Sequence, residues 1–241
     1  MKSPLLLAIA GAAVCCPLIA QDAMQYGLKF QNVMAENDKV RVVHHGVDPD
    51  FFELARRRRP ERFLLAVSTL HPHKNLDGLL RAFAQFRRTH PDFRLIVCGM
   101  HGFFTGPLHE LRESLGLADS VEFPGWIPRQ DVYELFARAW AFLYPSLFEG
   151  FGMPVLEGMA AGVPTACSGI EPLASIAGQA ALLFDPHDVN AIAGAMLRLV
   201  DDEPLRQRLA EASPRRAAEF SWRSAAAETL AVIEEAATAG Q

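Results

Sequence analysis

The stretch SLFEGFGMPVLEGMAAGVP, residues 146–164, places two glutamates on either side of a glycine-rich bend. Gly150 and Gly152 carry no side chain, so their backbone N–H groups can come close to a ligand. A helix is predicted after the bend, with Glu157 in its first turn. There its carboxylate could accept two hydrogen bonds from a vicinal diol such as a ribose, while Glu149 lies across the bend. The alternative for Glu157 is a favourable charge placement at a helix N-terminus.

From about residue 40 onward, short apolar runs alternate with amphipathic helical segments. The predicted strands are KVRVVHHG (39–46), RFLLAVST (62–69), FRLIVCG (93–99), SVEFPG (120–125), WAFLYPS (140–146), VPTACS (163–168) and AALLFDP (180–186). The predicted helices cover about 75–88, 131–138 with Asp131 as its cap, 154–161, 188–200, 204–212 and 221–237. This alternation predicts an α/β fold with a parallel sheet covered by helices on both faces. Such sheets bind ligands at the carboxyl ends of their strands.

A second strand end carries a lysine. LHPHKN follows the strand FLLAVST and places Lys74 where a loop meets a helix. Free N–H groups and a full positive charge at that place suit a phosphate or diphosphate, although an ordinary surface lysine is the alternative. His71 and His73 lack a third ligand nearby in the sequence, so no metal site is predicted. The two glutamates, the glycine bend and Lys74 together indicate a nucleotide-diphosphate ligand.

Composition and charge exclude some classes of protein. A formal net charge of −5 over 241 residues argues against a general nucleic-acid binder. The four cysteines lack metal-ligand or disulfide spacing, and Cys98 and Cys167 are predicted to be buried free thiols in a reducing compartment. The run Arg56–Arg59 is predicted to lie in a solvated surface loop, with weak attraction to anionic lipid as the alternative.

The N-terminal segment differs from the rest of the chain. MKSPLLLAIAGAAVCCPLIAQDA resembles a signal peptide with a thin basic region, and it is too short and too broken by Pro17 for a membrane span. The alternative is a buried strand or helix left from a longer protein. The sequence therefore predicts an atypical segment over residues 1–39 and one ligand-binding domain over residues 40–241.

At this point the residues resemble a known family. EGFGMPVLE is similar to the E-x7-E signature of retaining glycosyltransferases with the GT-B fold, and most similar to glycosyltransferase family 4. VVHHGVDPDFF, VSTLHPHKNLDGLL, RLIVCG and AALLFDP fall in the order of that family, over most of residues 40–237. The resemblance implies the Rossmann-like, C-terminal, donor-binding domain of such an enzyme. It also implies transfer of a sugar from a nucleotide-diphosphate sugar to a glycan or lipid-linked acceptor, as in polysaccharide biosynthesis.

The resemblance also implies roles for individual residues. As catalytic residues, Lys74 would contact the diphosphate of the donor and stabilise the charge that develops as the nucleotide leaves, and Glu149 would bind hydroxyls of the donor sugar. Glu157 would take the ribose hydroxyls. The further donor-binding residues are Gly150, Phe151, Gly152 and Met153 at the bend, Thr69, and Trp126 with Ile127 beside the base. The donor is a UDP-, GDP- or other nucleotide sugar, and no metal, cofactor or enzymic nucleophile is implied.

Three departures from the family pattern leave alternatives open. Thr69 stands where many relatives have arginine, and Ser175 stands where relatives often have glutamate. Only the donor-binding domain has a counterpart in this sequence, so we expect either a transferase with an acceptor-binding partner chain or a donor-binding subunit or inactive truncated half. A sugar-nucleotide epimerase shares the architecture but would lack the full EGFG…E pattern. The expected location is the cytoplasm, at the inner face of the membrane, with export left open by the N-terminus.

Overall fold

The structure, a computed structural model, describes residues 7–9 and 41–239. The chain divides into two compact units: Val47–Glu219 is one, and the other takes the described residues before and after it. The predicted domain boundary at residue 40 does not coincide with this division, because residues 41–46 and 220–239 group with the second unit. Most of the predicted N-terminal segment lies outside the described residues.

The elements follow one another in a regular alternation. The strands are β1 Leu7–Ile9, β2 Arg41–Val43, β3 Phe63–Val67, β4 Arg94–Cys98, β5 Val121–Gly125, β6 Ala141–Tyr144, β7 Thr165–Ser168 and β8 Leu182–Phe184. The α-helices are α1 Asp50–Arg56, α2 Leu76–Phe86, α3 Thr105–Ser114, α4 Arg129–Arg138, α5 Met153–Ala160, α6 Leu173–Ala177, α7 Val189–Asp201, α8 Glu203–Ala217 and α9 Trp222–Ala239. A short 3-10 helix, Pro72–Lys74, precedes α2.

The larger unit is built on a six-stranded parallel sheet in the order β5-β4-β3-β6-β7-β8. Every neighbouring pair is parallel. The chain first runs outward from β3 to β5 and then returns to the centre, where Phe142 of β6 pairs with Leu65 of β3. The order of the strands therefore reverses between β3 and β6. The predicted parallel α/β fold, with helices on both faces, is confirmed.

The core lies on both faces of this sheet, as expected for buried parallel strands. All four residues of β6 are buried, and so are four of the five in β3. The predicted apolar face of α2 is confirmed, because Leu79, Phe83 and Phe86 are completely buried. They share one cluster with Met196 of α7. Each such side chain contributes roughly 1.5–3 kcal/mol by leaving water.

Some helices differ from the prediction. α1, α3 and α6 were not predicted: α1 and α6, with seven and five residues, are too short to show a helical period, and α3 buries a single residue, Leu108. α8 runs to Ala217 instead of ending near residue 212, although it contains Pro214. Leu205, Leu209 and Ala217 are buried on both sides of the proline, at intervals of four or eight residues. The burial of this face accounts for the continuation of the helix through a residue that usually breaks it.

The arginine run is not a wholly solvated loop, so that prediction is wrong in part. Arg56 ends α1, and Arg58 turns inward to donate hydrogen bonds to the carbonyls of Ala139, at 2.7 Å, and Phe136, at 3.3 Å. Burial lowers the pKa of the Arg58 guanidinium to about 10. Arg57 remains exposed, 4.0 Å from Glu134. Within the run, Arg58 therefore ties the end of α4 to the segment before β3.

The smaller unit contains the parallel pair β1–β2, in which Leu7 lies opposite Arg41, together with α9. Arg41 of β2 donates to Glu235 of α9 at 3.0 Å. Gly46 is required where it stands, because a Cβ there would lie 2.0 Å from the backbone nitrogen of Trp222. In the described part of the chain, no helix has the length and apolar character of a membrane span.

Candidate functional site

The candidate site lies at the carboxyl ends of β3 and β6. The strand order reverses between these neighbours, since β3 leads to β4 on one side and β6 leads to β7 on the other. Right-handed crossovers then direct the segments that follow them toward opposite faces of the sheet. Such a point opens a crevice in α/β proteins, and ligands bind there. The segment after β3 carries Lys74, and the segment after β6 carries Glu149.

The backbone of Lys74 is fixed by its neighbour Asn75. Asn75 is buried and has a left-handed conformation, φ 52° and ψ 37°, which asparagine tolerates better than most residues. Its side-chain amide donates to the carbonyls of Pro145, at 3.1 Å, and Pro186, at 2.7 Å. These carbonyls belong to the segments after β6 and β8. One amide therefore holds three strand ends together and sets the position of Lys74.

The side chain of Lys74 contacts Glu149 directly. Its Nζ donates to Glu149 Oε1 at 2.6 Å and to the hydroxyl of Tyr144 at 3.1 Å. The side chains of Lys74 and Glu149 are 13 % and 10 % exposed, so water screens this ion pair weakly. An ammonium has three N–H donors, and these two hydrogen bonds use two of them. The sequence placed both residues at strand ends but did not predict that they touch.

Tyr144 and His73 are the ionisable side chains next to Lys74 and Glu149, and both are mainly neutral. Burial, and then the negative charge of Glu149, raises the pKa of Tyr144 well above its ordinary value, so its hydroxyl is neutral. Burial lowers the pKa of His73, and the positive charge of Lys74 lowers it further. His73 is therefore mainly neutral at pH 7. The backbone carbonyl of His73 accepts from the N–H of Leu147 at 2.8 Å, which joins the two loops.

The glycine-rich bend begins helix α5. Gly152 caps the helix with φ 106° and ψ 44°, a conformation that L-residues rarely adopt. A Cβ at Gly152 would lie 2.2 Å from Cδ2 of Leu173, whereas a Cβ at Gly150 would meet nothing within 4 Å. Glycine is therefore required at 152, and at 150 it leaves the backbone open to a ligand. Pro154 has no N–H, and the N–H of Val155 donates to the Gly152 carbonyl at 3.0 Å, so the N–H of Met153 is the first-turn donor that the helix leaves for a ligand.

Glu157 does not lie in the first turn of α5, so the predicted position is wrong. The helix begins at Met153, which makes Glu157 its fifth residue and places it in the second turn. Burial raises the pKa of the Glu157 carboxyl to about 7, against the opposing effect of Arg129, and the charge of Asp48 raises it further. Among the residues that the structure describes, this carboxylate makes no hydrogen bond. A half-buried carboxylate without a donor is an unsatisfied acceptor that a ligand can complete.

A polar network close to Glu157 was not predicted from the sequence. Arg129, the first residue of α4, pairs with the carboxylate of Asp48 and donates to the hydroxyl of Tyr133 at 2.6 Å. Tyr133 in turn donates to Asp48 at 3.0 Å. Backbone donation from Asp50, and then Tyr133 and Arg129, lower the pKa of Asp48. Asp131, predicted as the cap of this helix, lies in its first turn instead.

The other predicted donor-binding residues are spread along the same edge of the sheet. Thr69 follows β3, beside Ser68, whose hydroxyl is buried without a hydrogen-bond partner among the described residues. Trp126, 71 % exposed, and Ile127 follow β5, which lies two strands away from β3. The described hydrogen bonds do not join these residues to Lys74. Phe151 is buried within the bend, and its assigned role, like those of the other residues, stays a prediction.

The two cysteines of the larger sheet lie in β4 and β7. Cys98 and Cys167 are buried free thiols, as predicted, and burial raises the pKa of Cys98 to about 11. In residues 7–9 and 41–239, no group of three histidine, cysteine, aspartate or glutamate side chains converges to hold a metal ion.

Ser175, on α6, is exposed, and its backbone carbonyl accepts from Arg216 at 2.7 Å.

Comparison with known proteins places this chain in one family. The family model described as glycosyl transferases group 1 matches residues 49–216. The O-antigen chain mannosyltransferase B of Escherichia coli is 34 % identical over 169 residues, which is 70 % of this chain and 44 % of the relative. The chain spans about half or less of the length of the curated relatives it matches most strongly.

Solved structures share the fold at lower identity. Sucrose-phosphate synthase from Thermosynechococcus elongatus superimposes with a TM-score of 0.75 at 23 % identity, covering 90 % of this chain and 57 % of the other. HepE from Anabaena, in complex with UDP and glucose, has a TM-score of 0.70 at 20 % identity and covers 82 % of this chain and 56 % of the other.

Proposed function

The chain belongs to the family of glycosyl transferases group 1, and from this premise we propose that residues 47–219 bind a nucleotide-diphosphate sugar for retaining, family-4 type transfer of its sugar to a glycan or lipid-linked acceptor. The observation that carries the proposal is the contact between Lys74 and Glu149 where the strand order reverses. A cation and a carboxylate side by side suit a ligand with a diphosphate and a sugar next to each other.

The diphosphate is bound by Lys74 and by backbone N–H groups in this proposal. The ammonium keeps one N–H free of protein partners in the described structure, and phosphate oxygens are strong acceptors for it. Backbone N–H groups of Gly152 and Met153, at the start of α5, add the partial positive charge of a helix N-terminus. Gly150 and Phe151 shape the approach, and Thr69 lies at the end of β3.

The sugar and the ribose are bound by the two glutamates. Glu149 accepts hydrogen bonds from hydroxyls of the donor sugar while it pairs with Lys74. Glu157 accepts from the ribose diol, which supplies the donors that its half-buried carboxylate lacks. The base lies between the segments after β4 and β5, where Trp126 and Ile127 flank it through their main chain.

The proposed reaction breaks the bond between the anomeric carbon and the diphosphate oxygen. Negative charge then develops on the diphosphate, and Lys74 and the N–H groups of Gly152 and Met153 stabilise it without reorganising. The acceptor oxygen attacks the anomeric carbon from the face that the diphosphate leaves and gives its proton to the departing diphosphate oxygen, so the anomeric configuration is kept. Neither an enzymic nucleophile nor a metal or cofactor has a part in this proposal.

The relatives and structural neighbours support a particular kind of donor. A mannosyltransferase relative supports a hexose as the sugar, and a structural neighbour in complex with UDP and glucose supports a nucleotide sugar as the donor. We propose that an acceptor-binding partner chain completes the cleft, in the cytoplasm and in peripheral contact with the inner face of the membrane. The second candidate is a donor-binding subunit without transferase activity, which the serine at Ser175 favours.

Calorimetric titration of the chain with UDP, GDP and their hexose derivatives tests the proposal. We expect saturable binding of one nucleotide, and at least about 10-fold weaker binding in Lys74→Ala, because a hydrogen bond to a charged group contributes about 1.5–3 kcal/mol. Arg57→Ala, which removes an exposed cation on α1's C-terminal side, is the control and should bind like wild type. Equal affinity in wild type and Lys74→Ala would refute the assignment.

A further inference from the structure

Tyr144 is the last residue of β6 and lies beneath the ammonium of Lys74. The hydroxyl accepts a hydrogen bond from Nζ at 3.1 Å, and Nζ lies 5.4 Å from the centre of the ring. The residue is 2 % exposed. Its ring stacks on Phe142 two residues earlier in the same strand, at 6.1 Å between centroids.

The hydroxyl has a use beyond packing. A phenylalanine would fill the same space beside Phe142 without taking a polar group out of water. Burying a hydroxyl destabilises the fold unless a hydrogen bond compensates for the lost water. At Tyr144 the hydroxyl oxygen accepts from the ammonium of Lys74, and the hydroxyl proton is donated to the carboxylate of Glu149. The hydroxyl, the ammonium and the carboxylate therefore form one hydrogen-bonded triangle across the junction of β3 and β6.

A second acceptor changes what the lysine can do. A lysine side chain has four rotatable carbon–carbon bonds, and a single carboxylate partner leaves the ammonium free to turn around it. With Glu149 at 2.6 Å and Tyr144 at 3.1 Å, two of its three N–H groups have fixed directions. The direction of the third is then set by tetrahedral geometry. Tyr144 is neutral, so it fixes the ammonium without neutralising the charge that a diphosphate needs.

We propose that Tyr144 is a positioning residue, whose hydroxyl holds the ammonium of Lys74 so that its third N–H meets the donor diphosphate. The ligand in this inference rests on the proposed function above. The positioning of Lys74 by its hydrogen bond with Tyr144 does not rest on that function, so the ligand and the positioning can be tested separately.

The first test is a double-mutant cycle on nucleoside diphosphate binding. Tyr144→Phe should weaken binding of the preferred nucleoside diphosphate by about 3- to 10-fold, no more than Lys74→Ala weakens it, because the hydroxyl acts on the ligand only through the ammonium. In a Lys74→Ala background, Tyr144→Phe should have no further effect. Tyr133→Phe is the matched control, and any effect it has should be the same in both backgrounds. A loss from Tyr144→Phe that persists without Lys74 overturns the proposal.

The second test needs no ligand. The sequence contains four lysines, and Lys74 is the only one in residues 41–239, so the lysine 15Nζ and 13Cε NMR signals can be assigned with Lys74→Ala. The Nζ signal of Lys74 should shift and lose order in Tyr144→Phe and stay unchanged in Tyr133→Phe. An unchanged Lys74 signal in Tyr144→Phe overturns the proposal. If wild type binds no nucleotide, the proposed function fails, and the Lys74 signal alone decides the role of Tyr144.

Discussion

Replacing Gly152 with alanine should destabilise the larger unit by about 2–5 kcal/mol. Gly152 has φ 106°, and an L-residue in left-handed backbone costs roughly 1–2 kcal/mol. The new methyl group would lie 2.2 Å from Cδ2 of Leu173, which must retreat by more than about 1 Å to reach an ordinary carbon–carbon separation. Leu173 is completely buried, so this overpacking adds about 1–3 kcal/mol.

Urea and thermal unfolding measure this effect. For a unit of this size each kcal/mol lowers Tm by about 2–4 °C, so Gly152→Ala should melt roughly 5–20 °C below wild type. Gly150→Ala is the control in the same loop, because its Cβ meets nothing within 4 Å, and it should be neutral or stabilising by up to about 1 kcal/mol. In a Leu173→Ala background, Gly152→Ala should cost only the backbone part, about 1–2 kcal/mol. Equal stability of Gly150→Ala and Gly152→Ala would refute the reasoning.

Two further predictions concern single charged groups. Arg58→Ala should lower the free energy of unfolding by about 1.5–3 kcal/mol, because two backbone carbonyls lose a charged donor. Arg57→Ala is the control and should change this free energy by less than about 0.5 kcal/mol. Denaturant melts that give both variants the same stability would contradict the prediction. The folded-state pKa of Glu157 is raised to about 7 from 4.5, so the folded chain binds an extra proton between these values and its stability falls as pH rises through that window. The stability of Glu157→Gln relative to wild type should therefore be higher at pH 8 than at pH 4.5. Parallel profiles of unfolding free energy against pH for the two proteins would contradict this.

The repeated strand–helix pattern made the sheet predictable. Long apolar runs such as FLLAV and helices with a clear 3.6-residue period such as α2 were found to within two residues of their ends. The short helices α1 and α6 were missed because seven and five residues carry too little periodicity to stand out. The end of α8 was misplaced because local propensity stops at Pro214, whereas burial of the face around it depends on tertiary packing.

The candidate site was predictable only in part. Lys74 and Glu149 could be placed at strand ends, since strands and glycine bends leave local signals in the sequence. Their contact could not, because it depends on which strands are neighbours, and β3 and β6 are separated by two other strands in the chain. In the sequence, Tyr144 resembles an ordinary apolar strand residue. The one local feature that distinguishes it is a hydroxyl on an aromatic ring at the end of a strand. Inward-turned Arg58 likewise depends on carbonyls far away in sequence.

The amide of Asn75 gives the fold a natural point of fragment complementation. A chain cut between α4 and β6 would leave Asn75 and Lys74 on the first fragment, with β3, β4 and β5. The carbonyls of Pro145 and Pro186, and the acceptors of the lysine, would be on the second. Neither fragment could form the crevice alone, so recovery of the proposed nucleotide binding would report that the two halves of the sheet had docked. The site is thus a reporter for assembly of the sheet on which it stands.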